Sequence, residues 1–452
     1  MSFSNLTFVF IFLPVSLILY RFIPEKGRNV LLFILGLVFY AWGSPKNLLL
    51  LLVSVLFNYA SARVISENLA LKRKNTAKTA ALIGVIANIG VLAVFKYTTA
   101  SLPVGISFYT FSALSYILDV YWNRADNDMN LLETGLYITF FAKVTSGPIV
   151  QFKDMKEQIR KRQYSSASVA SGLNLFLMGL FKKLLIADNL GVAFSSIYAV
   201  SNMSSASAWL GMIYYSLQLY FDFSGYSDMA IGLAKMFGFD FDRNFNYPYL
   251  AEGITDFWRR WHISLGAWFR DYIYIPLGGN RCGTGMQLRN LAIVWILTGA
   301  WHGNTLNFIF WGIWHGVFVI LDKFFLGDVM KRLPRAVRII LTDLEAFIGW
   351  IFFFTPTIGS SFSYIGKLFK WGGGNAFWNA DTTFSLKGNL ILLVVSFLLC
   401  GPFVKNLHDQ LVFRSGDTRR KYISVGIYCV LLAFCVAAMV SQTYSTFLYF
   451  QF

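Results

Sequence analysis

DFWRRWHISLGAWFRDYIYIPLGGNR, residues 256–281, and TGAWHGNTLNFIFWGIWHG, residues 298–316, set His262 and His302 in sequence that is otherwise aromatic and apolar. Ionisable groups are expensive inside a membrane, and where they occur they mark a functional site by default. Between Trp258 and Tyr272 the apolar residues Trp258, Trp261, Leu265, Trp268 and Tyr272 recur at spacings of three and four. That period predicts one amphipathic helix at the membrane surface, ended by Pro276 and Gly278-Gly279, with His262 near the border of its apolar face. The run LAIVWILTGA, residues 291–300, is apolar apart from Thr298 and leads straight into Trp301 and His302, so His302 is expected at membrane depth. Burial favours the neutral form of an imidazole, the form that accepts a proton from a hydroxyl.

The surrounding composition sets the class. Of 452 residues, 56% are hydrophobic, 18% aromatic and only 14% charged, with a mean hydropathy of +0.54, well below the charge content of soluble domains. Apolar stretches of about twenty residues recur, the length of a membrane-crossing helix, and no ten-residue alternating pattern suggests a barrel. The chain is therefore read as an all-α polytopic membrane protein. The net charge of +16 sits in short basic runs between apolar segments, as membrane topology requires, and no soluble basic domain exists to bind nucleic acid. Cys282, Cys400, Cys429 and Cys435 show no metal-ligand spacing, so neither a metal nor a disulfide is expected.

Outward along the chain, Leu6–Tyr20 lacks a basic leader and a small-residue cleavage site, so it is expected to remain as the first span. The connection RFIPEKGR, residues 21–28, is net basic, as is LKRKNTAK, residues 71–78. Both are expected in the cytoplasm, which places the N-terminus outside. Spans are predicted near 29–42, 47–62 and 80–95, followed by a hydroxyl-rich helix over 102–122 that packs against its neighbours. FFAKVTSGPIVQF, residues 140–152, is too short and too broken by Gly147-Pro148 to cross alone. It reads as re-entrant, in a position that lines a cavity, because irregular backbone at membrane depth needs cover.

Further on, Lys182 and Lys183 stand beside Asp188, and FDFSGYSD, residues 221–228, carries Asp222 and Asp228. Six residues apart on a helix, these two aspartates point about 240° apart and do not share a face. Later spans fall near 337–354, 390–403 and 423–440. The uncharged ending SQTYSTFLYFQF puts the C-terminus on the same outer side as the N-terminus. His315, 13 residues after His302, would lie roughly 220° round an uninterrupted helix and reads as structural, and His408 as a surface residue. No repeat or soluble insert interrupts the series, so residues 1–452 are read as one integral membrane domain with a core over about 102–324.

There is no glycine-elbow serine, HExxH motif or phosphate-binding glycine loop, and direct transfer between a bound donor and a bound acceptor suits the remaining inventory. With the segments 102–121, 179–190 and 218–239, the motifs DFWRRWHISL, RDYIYIPLGGNR and WHG resemble the membrane-bound O-acyltransferase family, above all its bacterial branch acting on alginate, peptidoglycan and, as D-alanyl transfer proteins, teichoic acids. The resemblance implies about 11 transmembrane helices with re-entrant and interfacial pieces around a central catalytic tunnel. It also implies that His302 and His262 are the site histidines. Gly266-Ala267 depart from the Ser-Thr or Ser-Phe often found after HISL.

On that basis the chain is expected to be an O-acyltransferase of the bacterial inner membrane. No bound cofactor is expected, and the donor substrate is a cytosolic thioester, acetyl-CoA, whose phosphates would meet Arg259, Arg260, Lys182, Lys183 or Arg281. The acceptor is an exported or cell-wall polysaccharide, reached through an SGNH-type partner protein. The competing readings are a membrane transporter and a structural subunit of an export complex.

Overall fold

In the computed structural model, the structure describes residues 2–370, 376–412 and 418–441. The side chain of His408, the glycine-rich connection after Lys370, most of the basic RSGDTRRK connection and the terminal residues 442–452 lie outside the described residues. The expectations placed on His408 and on the C-terminal side therefore lie outside them too. All regular structure among the described residues is helical, and the chain forms a polytopic membrane protein. By its internal contacts it divides into two compact units, one of Met1–Leu180 with Tyr226–Arg243, the other of Phe181–Gly225 with Asn244–Phe452.

In the first unit, Leu48–Ala70 and Lys74–Tyr97 form an antiparallel pair joined by a tight turn with Lys72 at φ 57°. The 23 residues of the first helix reach about 35 Å, enough to cross the hydrocarbon layer. Its outer face carries exposed Leu49, Val53 and Leu56, and its partner exposes Ile83 and Ile86, the distribution lipid requires. The polar glue lies inside. Asn58 and Asn88 exchange amide hydrogen bonds of 3.2 and 2.7 Å between the two helices, which satisfies groups that lipid would leave bare.

The hydroxyl-rich segment forms the helix Ile106–Tyr121, buried over most of its surface. As the Gly147-Pro148 break predicts, the chain after Leu131–Thr139 has no helix until Phe152–Arg160. This irregular stretch is almost wholly buried. Lys143 within it donates to the Ser112 hydroxyl at 2.8 Å and lies 3.9 Å from the centroid of the Tyr137 ring.

In the second unit, Thr284–His302 and Leu306–Leu321 form a helical hairpin across a three-residue link. Glycines bring them together: a Cβ on Gly299 would strike the Phe308 carbonyl, and one on Gly312 the Trp295 carbonyl. The helix Arg335–Phe354 packs against Leu306–Leu321 and delivers fully buried Trp350 beside Trp311.

Five helical segments among the described residues are long and apolar enough to cross a membrane: Pro45–Ala70, Lys74–Tyr97, Ser166–Tyr198, Leu306–Lys331 and Ala380–Leu399. Ser205–Met236, 32 residues long, contains buried Asp222.

Candidate active site

The predicted surface helix over Trp258–Tyr272 is broken at its histidine. Ile254–Arg260 ends, His262 takes the left-handed conformation at φ 45° and ψ 53°, and Ile263–Phe269 begins. A left-handed residue other than glycine is held only where its surroundings over-determine it, and here Asn244 and Asn246 do so. The Ile263 amide donates to the Asn244 carbonyl at 2.9 Å, and the Asn246 amide donates to the Arg260 carbonyl at 2.9 Å. The side-chain oxygen of buried Asn244 accepts from the Ser264 amide and hydroxyl, both at 3.0 Å.

That same oxygen lies 3.3 Å from His262 Nδ1. Since it is an acceptor, Nδ1 carries the proton and Nε2 is the acceptor nitrogen of the ring. His262 is 2% exposed and lies outside the five membrane-length helices. Burial pushes its pKa down to about 3, so the imidazole is neutral at physiological pH. Replacing Asn244 with alanine strips acceptors from Ser264 and His262, and thermal unfolding in detergent is expected to show a loss of about 1–3 kcal/mol.

His302 is the last residue of Thr284–His302, and Gly303 continues in extended conformation. A Cβ on Gly303 would run into the Phe308 ring, so the glycine permits the sharp exit that leaves His302 at the helix end. His302 is buried, its ring 4.7 Å from Trp311 and 5.4 Å from Phe353 between centroids. The Trp301 indole neighbours both site histidines, at 6.3 Å from His262 and 5.0 Å from His302. Because the helix stops at His302, the angular offset of an uninterrupted helix does not apply to His315, and Trp311 touches both His302 and His315.

Beside His262 opens a cavity of about 370 Å³, walled by Trp258, Trp295 and Thr298, with Arg259 and Arg270 also in its lining. Small-molecule sites are typically of this kind, apolar with a few polar groups. The cavity brings together His262 and Arg259; His302 is not among its lining residues.

Of the predicted cations, Arg259 lines this cavity and Arg260, Lys182, Lys183 and Arg281 do not. Arg259 is exposed and has no ionic partner among the described residues. Arg260 is bound to Asp256 at 2.9 Å. Lys183, 3% exposed, lies 2.7 Å from both Asp188 and Asp222, so its charge is already compensated. Lys182 is half-buried in the adjoining turn, and Arg281 is exposed in the loop before Thr284. No group of three histidine, cysteine or acidic residues that could hold a metal occurs among the described residues. The bracing role of Asn244 has no signal in the sequence, and neither does the pairing of Lys183 with Asp222.

The architecture is that of a multi-pass helical membrane protein with two buried histidines, His262 beside a cavity and His302 against the Trp301 indole. The family described as MBOAT, membrane-bound O-acyltransferase family, matches residues 122–358. The chain is 39% identical over 394 residues to the probable alginate O-acetylase AlgI of Pseudomonas aeruginosa, covering 82% of this chain and 75% of that protein. It is 35% identical to the protein of the same description in Pseudomonas putida, over the full length of both. It is also 31% identical to the peptidoglycan O-acetyltransferase of Helicobacter pylori, over 100% of this chain and 97% of that one. The chain belongs to the membrane-bound O-acyltransferase family and is an acyltransferase.

Proposed function

We propose that the protein transfers an acetyl group from a cytosolic thioester, acetyl-CoA, to a hydroxyl acceptor beyond the bacterial inner membrane, for O-acetylation of an exported or cell-wall polysaccharide. The observation that carries this reading is the convergence of two buried histidines on one indole, one of them lining a cavity that also meets an exposed arginine. In this reading His302 removes the proton from the acceptor hydroxyl as the oxygen attacks the acyl carbonyl, and His262 orients the reactants. The hydroxyl oxygen gains the acyl group, the thiolate leaves, and the proton passes by way of the imidazole to the departing sulfur.

Arg259 meets the donor phosphates, with Lys182 and Arg281 adding positive charge. Arg260 and Lys183, already bound to carboxylates, support the site by position. The names of the relatives favour acetyl over other acyl groups, and an SGNH-type protein carries the group onward to the polymer. Residues 1–452 act as one integral domain with both termini outside.

A second reading exchanges the two histidines, because His262 lines the cavity and presents Nε2 as its acceptor nitrogen. Sealed vesicles with labelled acetyl-CoA on one side and the acceptor partner on the other test the function. Label is expected on the acceptor while CoA stays in the donor compartment. Intact thioester crossing the membrane would instead identify a transporter, and no thioester consumption would leave a structural subunit.

A further inference from the structure

His315 is fully buried on Leu306–Leu321, and its Nδ1 lies 3.1 Å from Glu345 Oε1 on Arg335–Phe354. Glu345 and Gly349 are four residues apart and share the helix face turned to His315. A Cβ on Gly349 would collide with the His315 imidazole, so the glycine lets the two helices close over the pair. The Trp314 indole donates to the Glu345 carbonyl at 3.1 Å and pins the same turn. A histidine and a glutamate are costly to bury in an apolar bundle, and neither belongs to the cavity lining.

What surrounds the pair connects it to the site. The His315 ring stands edge to face against Trp258 at 4.8 Å and Trp311 at 5.1 Å, with Trp295 at 6.0 Å. Trp258 and Trp295 are cavity walls. Trp311 makes the T-shaped contact with His302. The Trp311 indole nitrogen is buried and has no hydrogen-bond partner among the described residues, so ring packing alone orients it. His315 is one of the rings that do so, and the Glu345 carboxylate approaches the His315 imidazole to 3.1 Å.

We infer that His315 and Glu345 form a positioning pair that holds Trp311 against His302, without touching either reactant. The inference rests on the reading of His302 as the reacting imidazole. A misplacement of about 1 Å can cost on the order of 100-fold in rate, so loss of the pair acts on turnover.

The test uses the full-length protein in membranes. The double variant His315→Phe with Glu345→Leu replaces both partners by apolar groups, a change that buried polar pairs often tolerate in stability. It is expected to insert and to melt no lower than the wild type, while kcat falls about 10- to 100-fold at an unchanged donor KM. Glu345→Gln, which keeps an acceptor oxygen, is expected to restore most of that loss relative to Glu345→Leu. In protein labelled with 5-fluorotryptophan, the fluorine resonance of Trp311, assigned with Trp311→Phe, is expected to shift or broaden in the double variant. Wild-type kcat in the folded double variant overturns the inference, and so does an unmoved Trp311 resonance. If no chain, the wild type included, transfers acyl groups, the functional reading fails, and the fluorine resonance still decides whether the pair orients Trp311.

Discussion

Replacing His302 with alanine is expected to lower acyl transfer about 100- to 10,000-fold, the contribution of positioned proton transfer to a reaction of this kind. The expectation follows from its place at the end of Thr284–His302, buried between Trp301, Trp311 and Phe353. Those rings contact the imidazole without being built on it, so the alanine variant should insert, fold and keep its donor KM. Steady-state transfer by purified protein, measured beside thermal unfolding, separates loss of chemistry from loss of structure. Under the second reading the larger loss falls on His262→Ala, and parallel kinetics of the two variants decide between them.

The second large effect concerns stability. Lys183→Met is expected to destabilise the protein by about 3–5 kcal/mol, the cost of removing one partner from a buried ion pair. Asp188 and Asp222 would lose the cation they share at 2.7 Å, and both are largely withdrawn from solvent. Adding Asp188→Asn and Asp222→Asn to Lys183→Met removes the stranded charges and should recover most of the loss. Thermal unfolding in detergent reads all three proteins. A stable Lys183→Met protein with a raised donor KM would instead place this lysine at the donor phosphates.

Much of this organisation is legible in the residues themselves. Leu48–Ala70 and Lys74–Tyr97 announce themselves by uninterrupted hydropathy, and helix extends through much of the basic connection because only 71–73 are needed to turn. Gly147-Pro148 marks the buried irregular stretch, and Gly303 marks the sharp exit after His302. The break at His262 is not legible. Trp261-His262 contains no glycine or proline, and the left-handed turn is maintained by Asn244 and Asn246, 18 and 16 residues upstream. Spacing predicts continuous helix there because tertiary hydrogen bonds leave no trace in local periodicity. Lys183 and Asp222 are likewise 39 residues apart, and Lys183 reads from the sequence as a candidate cation for the donor phosphates. Only the fold reveals that its charge is already compensated.

The most direct test of the central claim is the solvent deuterium isotope effect on a single turnover of acyl transfer, in the wild type and in His302→Ala. If the buried imidazole removes the acceptor proton as the acyl bond forms, transfer by the wild type slows in deuterium oxide and the residual rate of the variant does not. An equal isotope effect in both proteins, or a His302→Ala protein that transfers at the wild-type rate, would contradict the account.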